Sequence, residues 1–154
     1  MKITYKGDYA LKALFQLALR NWQDKGSVIA ISELAKLGDM PETFLEQILL
    51  LLRRGGFVKS KRGVRGGFFL ARPPREITIG EVIRFIEGPL EPIACVGSDG
   101  YSGCRDMENC IFKDVWNEVR LATSAILDTL TFEELVFRHK ERSLDLKPSC
   151  DYSI

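Results

Sequence analysis

FVKSKRGVRGGFFLAR, residues 57–72, decides how the rest of the chain is read. Two short runs, Phe57–Lys61 and Phe68–Arg72, flank a tip holding Gly63, Gly66 and Gly67, which predicts a β-hairpin ended by Pro73-Pro74. Immediately upstream, Leu45, Ile48, Leu49 and Leu52 recur at i, i+3, i+4, i+7, the stripe of a helix with one buried face, closed by Gly55-Gly56. Asp39 or Met40 is the expected cap of that helix, with Pro41 tolerated in its first turn. Before it, Ser32 is the expected N-cap of a short helix through Leu37 that Gly38 ends. The chain begins with a longer, mostly buried helix from Asp8 to about Trp22, carried by Leu11, Leu14, Phe15, Ala18 and Leu19.

Downstream of the hairpin, Thr78 with Glu81 three residues on forms a capping box for ITIGEVIRFIEG, which Gly88-Pro89 stops. Further on, Phe112, Val115, Val119, Ala122 and Ile126 step by three and four, with Trp116 and Thr123 beside them: one apolar seam along a long helix. Thr131 and Glu134 open a last helix to about Arg142, and the end of the chain reads as a tail.

A short helix, a tight turn, a second helix and a hairpin are the order of a winged helix-turn-helix, so the fold class is mainly α with a two-stranded wing. Net charge over the 154 residues is only +1, so any affinity for nucleic acid has to be local. It is local: between Arg53 and Arg75 stand eight basic residues, Lys59, Lys61, Arg62 and Arg65 among them, and no acidic one. Such a cluster is the footprint of phosphate binding. On the second helix Thr43, Phe44, Glu46 and Gln47 lie off the core stripe. Gln suits adenine, and Thr or an aromatic suits a thymine methyl. No nucleophile with a base, no phosphate-cradling loop and no paired carboxylates are found, so an enzyme is not expected. The first twenty residues do not read as a signal peptide and no apolar run approaches a membrane span, so a cytoplasmic location is expected.

Three of the four cysteines, Cys95, Cys104 and Cys110, fall in CVGSDGYSGCRDMENC, residues 95–110. A disulfide is disfavoured in a reducing compartment, and no CxxC pair marks a zinc site. Zinc, a thiol switch and an iron-sulfur site all stay open on the residues alone.

MKITYKGDYALKALFQLAL, ETFLEQILLLLRRGGFVKSKRGVRGGFFLAR and ITIGEVIRFIEG, followed by the cysteine loop and a long helix, resemble the IscR, NsrR and CymR group of bacterial regulators, the Rrf2 family, from Met1 to about Arg142. The resemblance implies a homodimeric winged-helix repressor or activator of a palindromic operator, paired through a dimerisation helix at about Ile111–Leu127. The expected organisation is a DNA-binding domain over 1–90, a cluster-binding loop over 91–110, the dimerisation and last helices over 111–143 and a flexible tail over 144–154. Thr43, Phe44 and Gln47 match recognition-helix contacts and Arg62 matches a wing arginine that enters the minor groove, although Val64-Arg65 stands where many members have proline-glycine. Members with three loop cysteines bind an iron-sulfur cluster, here expected as 2Fe-2S on Cys95, Cys104 and Cys110. The gaps are eight and five residues, the first longer than usual. IscR-like members place a histidine where this chain has Lys113. NsrR-like members use a carboxylate of the other subunit, and Asp8 stands at that position. Read from the residues, Asp8 is equally a helix N-cap. His139 is expected on the surface of the last helix and Cys150 in the tail.

Overall fold

The computed structural model describes residues 3–97, 104 and 109–145. Among the described residues, six helices, α1 (Tyr5–Gln23), α2 (Ile31–Gly38), α3 (Glu42–Arg54), α4 (Ile79–Glu87), α5 (Ile111–Thr129) and α6 (Phe132–Asp145), accompany one antiparallel hairpin of β1 (Val58–Lys61) and β2 (Gly67–Leu70). Short 3-10 turns occupy Pro74–Glu76 and Ala94–Val96.

The expected stripe on α3 is fully realised: Leu45, Ile48, Leu49 and Leu52 are its buried residues, facing Leu14 and Leu17 of α1 and Leu34 of α2 in one continuous core. Each such side chain removed from water contributes roughly 1.5–3 kcal/mol. Phe57, Val58 and Leu70 attach the hairpin to the same core, and α6 returns to it with Phe132 and Val136. By contrast, no residue of α5 is buried, and its seam residues Phe112, Val115, Val119 and Ile126 are exposed.

The helix starts depart from the sequence expectations, each for a reason distant along the chain. Asp8 is not a cap: α1 begins a turn earlier, with Thr4 as N-cap accepting from the Gly7 amide at 3.5 Å. Glu87 of α4 completes this cap, accepting from the Thr4 amide at 3.1 Å and the Thr4 hydroxyl at 2.7 Å. The hydroxyl's donation, with the amides, holds the Glu87 carboxyl below its usual range. Ser32 is not a cap either. Ile29 is engaged as an isolated bridge to Phe68, so the chain stays extended to Ala30 and α2 starts at Ile31. Pro41, rather than Asp39 or Met40, precedes α3; Asp39 instead ends α2 in the left-handed region at φ 50° while Met40 is buried. Thr78 does cap α4, accepting from the Glu81 amide at 3.2 Å, but the Glu81 carboxylate turns to Arg72 at 2.7 Å instead of closing the box.

Two links fix the end of α5. The Ile79 amide donates to the Leu130 carbonyl at 2.9 Å and Phe132 to that of Ile77 at 3.1 Å. Arg84 forks onto both carboxylate oxygens of Asp128, at 2.6 and 2.8 Å, holding that carboxyl below its usual range. Gly80 makes room for the fork, because a Cβ there would stand 2.1 Å from Asp128 Oδ1.

Candidate nucleic-acid interface and thiol loop

On α3, Thr43, Glu46 and Gln47 are exposed, opposite the buried stripe. Phe44 differs from the other outer-face residues. It is half-buried, and its ring meets Tyr9 of α1 edge to face, centroids 5.7 Å apart at 74°. Only part of the ring is free.

The hairpin pairs Val58 with Leu70 and Lys61 with Gly67. Its tip is a fixed turn: Gly66 donates to the Gly63 carbonyl at 2.8 Å, and Gly63 takes φ 113°, where a glycine fits best. Arg62, Val64 and Arg65 all project into solvent there. Neither they nor Lys59 and Lys61 make an ion pair among the described residues, so these cations are unspent. Arg72, counted with the basic run, is committed internally: it bonds Glu81 at 2.7 Å and stands 5.4 Å from the Phe57 ring centre. Arg62→Ala is therefore expected to lower the slope of log affinity against log salt on duplex DNA by about one unit. Arg72→Ala should leave that slope unchanged and lower the melting temperature instead, and a filter-binding series from low to high salt compares the two.

Where the hairpin joins the body, Ile29 and Phe68 exchange backbone hydrogen bonds of 2.9 and 2.8 Å, adding a third extended segment that sequence periodicity does not reveal.

Two of the three loop thiols stand beside α5. Cys95 sits half-buried in the turn Ala94–Val96, which packs on α5. Cys110 is the N-cap residue of α5, half-buried and without a side-chain cap bond, and Cys104 is exposed. All three are free thiols, and among the described residues no three His, Cys, Asp or Glu side chains lie close enough together to hold a metal ion. Residues 98–103 and 105–108, most of the loop, lie outside the described residues, as does Cys150. Asp8 stands in the first turn of α1 at a hollow lined by Ile3, Thr4 and Tyr5. It pairs with Lys12 at 2.8 Å, and that bond raises the lysine's pKa. His139 is exposed on α6, its ring edge to face with Phe15 at 5.4 Å. The chemistry of the donor set suits iron and sulfide, since thiolates are the preferred protein ligands and Asp8 is released from capping by Thr4.

Among the described residues, no helix is long and apolar enough to cross a membrane. Residues 3–138 match the Rrf2 family, described as iron-dependent transcriptional regulators. An rrf2-like HTH-type transcriptional regulator of Rhodobacter capsulatus is 39% identical over 137 residues, 87% of this chain and 91% of that protein. Among solved structures, CymR, the global cysteine regulator of B. subtilis, superposes with a TM-score of 0.74 at 30% identity, over 90% of this chain and 98% of that one. IscR of T. potens gives 0.71 at 30% identity, over 92% and 90%. An exposed face on α3, an unneutralised basic wing and likeness along almost the whole length to regulators of this build lead to one assignment: the chain is a winged-helix transcriptional regulator, not an enzyme, and belongs to the Rrf2 family.

Proposed function

We propose that this regulator is a cytoplasmic homodimer that grips a palindromic operator, and that an iron-sulfur cluster of the 2Fe-2S type on Cys95, Cys104 and Cys110, with Asp8 of the partner subunit as fourth ligand, sets how tightly it grips. One observation carries the reading. Cys110 is the N-cap residue of the helix whose apolar seam is left exposed among the described residues, so whatever ties the thiols together acts next to the dimer contact itself. When bound, the cluster supplies a labile link sensitive to redox state and to small ligands such as nitric oxide.

The chain's own residues do the rest. Phe112, Val115, Val119, Ala122 and Ile126 pair with the same seam of a second copy. That pairing places two α3 helices about one DNA turn, roughly 34 Å, apart in successive major grooves. Thr43, Phe44 and Gln47 meet base edges, Lys59 and Lys61 neutralise phosphates, and Arg62 and Arg65 enter the narrow minor groove. Thr4 and Glu87 anchor the start of α1 to α4, keeping Asp8 at a fixed place on the surface.

Protein purified without oxygen is expected to be coloured and to hold about two iron and two sulfide per subunit. Cys110→Ala should abolish both, and Asp8→Ala should retain assembly but lose colour several-fold faster in air. Colourless protein containing zinc or no metal would end the cluster reading. A second reading, a cluster-free thiol switch or effector-binding regulator, is favoured by the likeness to the cysteine regulator. It expects iron-free protein whose operator binding changes on mild oxidation, with a disulfide among Cys95, Cys104 and Cys110 recovered by peptide mapping.

A further inference from the structure

Tyr9 of α1 touches Phe44 on the outer face of α3, and a second ring and a cation flank it. Tyr5 lies 6.2 Å away ring to ring, and Lys12 Nζ lies 5.5 Å from its centroid. Against this ring Phe44 leans edge to face at 5.7 Å. Of the four residues off the core stripe, Phe44 alone is half-buried, whereas Thr43, Glu46 and Gln47 are exposed.

An aromatic reader of a thymine methyl has to present one edge at one angle, and a half-buried ring does so only if its buried part is braced. Quadrupolar edge-to-face contact favours one orientation of the pair over its neighbours. An aliphatic side chain of similar bulk would fill the space without that preference, leaving Phe44 free to change rotamer. We infer that Tyr9 is a positioning residue for base recognition: its ring fixes the angle at which Phe44 meets a thymine methyl in the major groove. The inference rests on the proposed DNA contact of Phe44 and adds a specificity determinant outside α3.

The test uses full-length protein and a duplex enriched by the wild type from a randomised pool, with single thymidines replaced by deoxyuridine to delete one methyl at a time. Wild type is expected to lose about fourfold in affinity at one thymine per half-site, the worth of one apolar carbon in contact. Phe44→Ala should show no loss there. Tyr9→Leu should also show none while keeping wild-type salt dependence, and Tyr9→Phe, which retains the ring, should restore the fourfold loss. A merely structural role for Tyr9 would weaken all duplexes equally and spare the methyl effect. Should Tyr9→Leu fold poorly by its melting curve, Tyr9→Met takes its place. The inference is overturned if a folded aliphatic variant discriminates thymine from deoxyuridine as wild type does, or if Phe44→Ala does. Wild-type protein that enriches no duplex removes the DNA-contact reading and the inference with it, an outcome distinct from either.

Discussion

Val119→Glu is expected to convert the protein into a folded monomer that binds half-sites only. Val119 is the middle residue of the α5 seam, with Val115 on one side and Ala122 and Ile126 on the other, and it is exposed in the single chain. In a two-fold contact each substitution enters twice, so two carboxylates would face each other in a site built from apolar side chains, and burying unpaired charge is among the costliest changes known. The fold itself should survive. Arg120, Ser124 and Asp128, which look toward α4, begin one residue, about 100°, around the helix from Val119. The monomer should melt through a cooperative transition and lose about 10²- to 10⁴-fold in affinity for the full palindrome, because the second half-site no longer gains from the first. Sedimentation at micromolar concentration beside gel shifts on full and half operators checks both parts. A Val119→Glu protein that remains dimeric would show that the seam does not join the copies.

Gly67→Ala should damage the wing more than any single loss of charge. Gly67 opens β2 beside the Ile29–Phe68 bridge, and a Cβ there would stand 2.4 Å from the Ile29 carbonyl oxygen and 2.6 Å from its carbon. Both neighbours are backbone, so no side chain can swing away. Relief requires the hairpin to tilt, opening the 2.9 and 2.8 Å bonds that join it to residue 29. Two backbone bonds at roughly 0.5–1.5 kcal/mol each, with the crowding added, give a loss of about 2–4 kcal/mol. At this chain length that is a fall in melting temperature of about 5–15 °C. DNA affinity should fall as well even below the melting range, since the wing is re-aimed; a variant with unchanged melting and unchanged affinity would show that the close approach at Gly67 is dispensable.

Features settled by near neighbours were legible before the fold was known. The four-residue stripe of α3, the glycine-rich turn of the hairpin and the three-and-four step of α5 are local patterns, and each element stands where its pattern put it. The errors share a different cause. Whether Thr4 or Asp8 caps α1 is decided by Glu87, 83 residues away, and whether Ser32 caps α2 is decided by Phe68. Arg72 looked like its basic neighbours but is taken by Glu81, and Phe44 looked like a plain outer-face ring but is braced by Tyr9. A count of charges or a helical wheel carries no trace of those partners. Three cysteines on one short stretch restrict what the thiol loop can bind. Residues 98–103 and 105–108, most of that loop, lie outside the described residues.

The anchorage of α5 has a mechanical side. Its last turn is pinned to α4 by the Arg84–Asp128 fork and the Leu130 carbonyl, while Cys110 stands at the opposite tip, 19 residues away and so roughly 28 Å distant. The helix is thus held firmly at its foot, with the turn Ala94–Val96 packed against it as well. Turned rigidly about that foot, an arm of roughly 28 Å converts about 2.5 Å at the cysteine tip into about 5°. A displacement entering at that tip would reach α4 reduced in travel and multiplied in thrust.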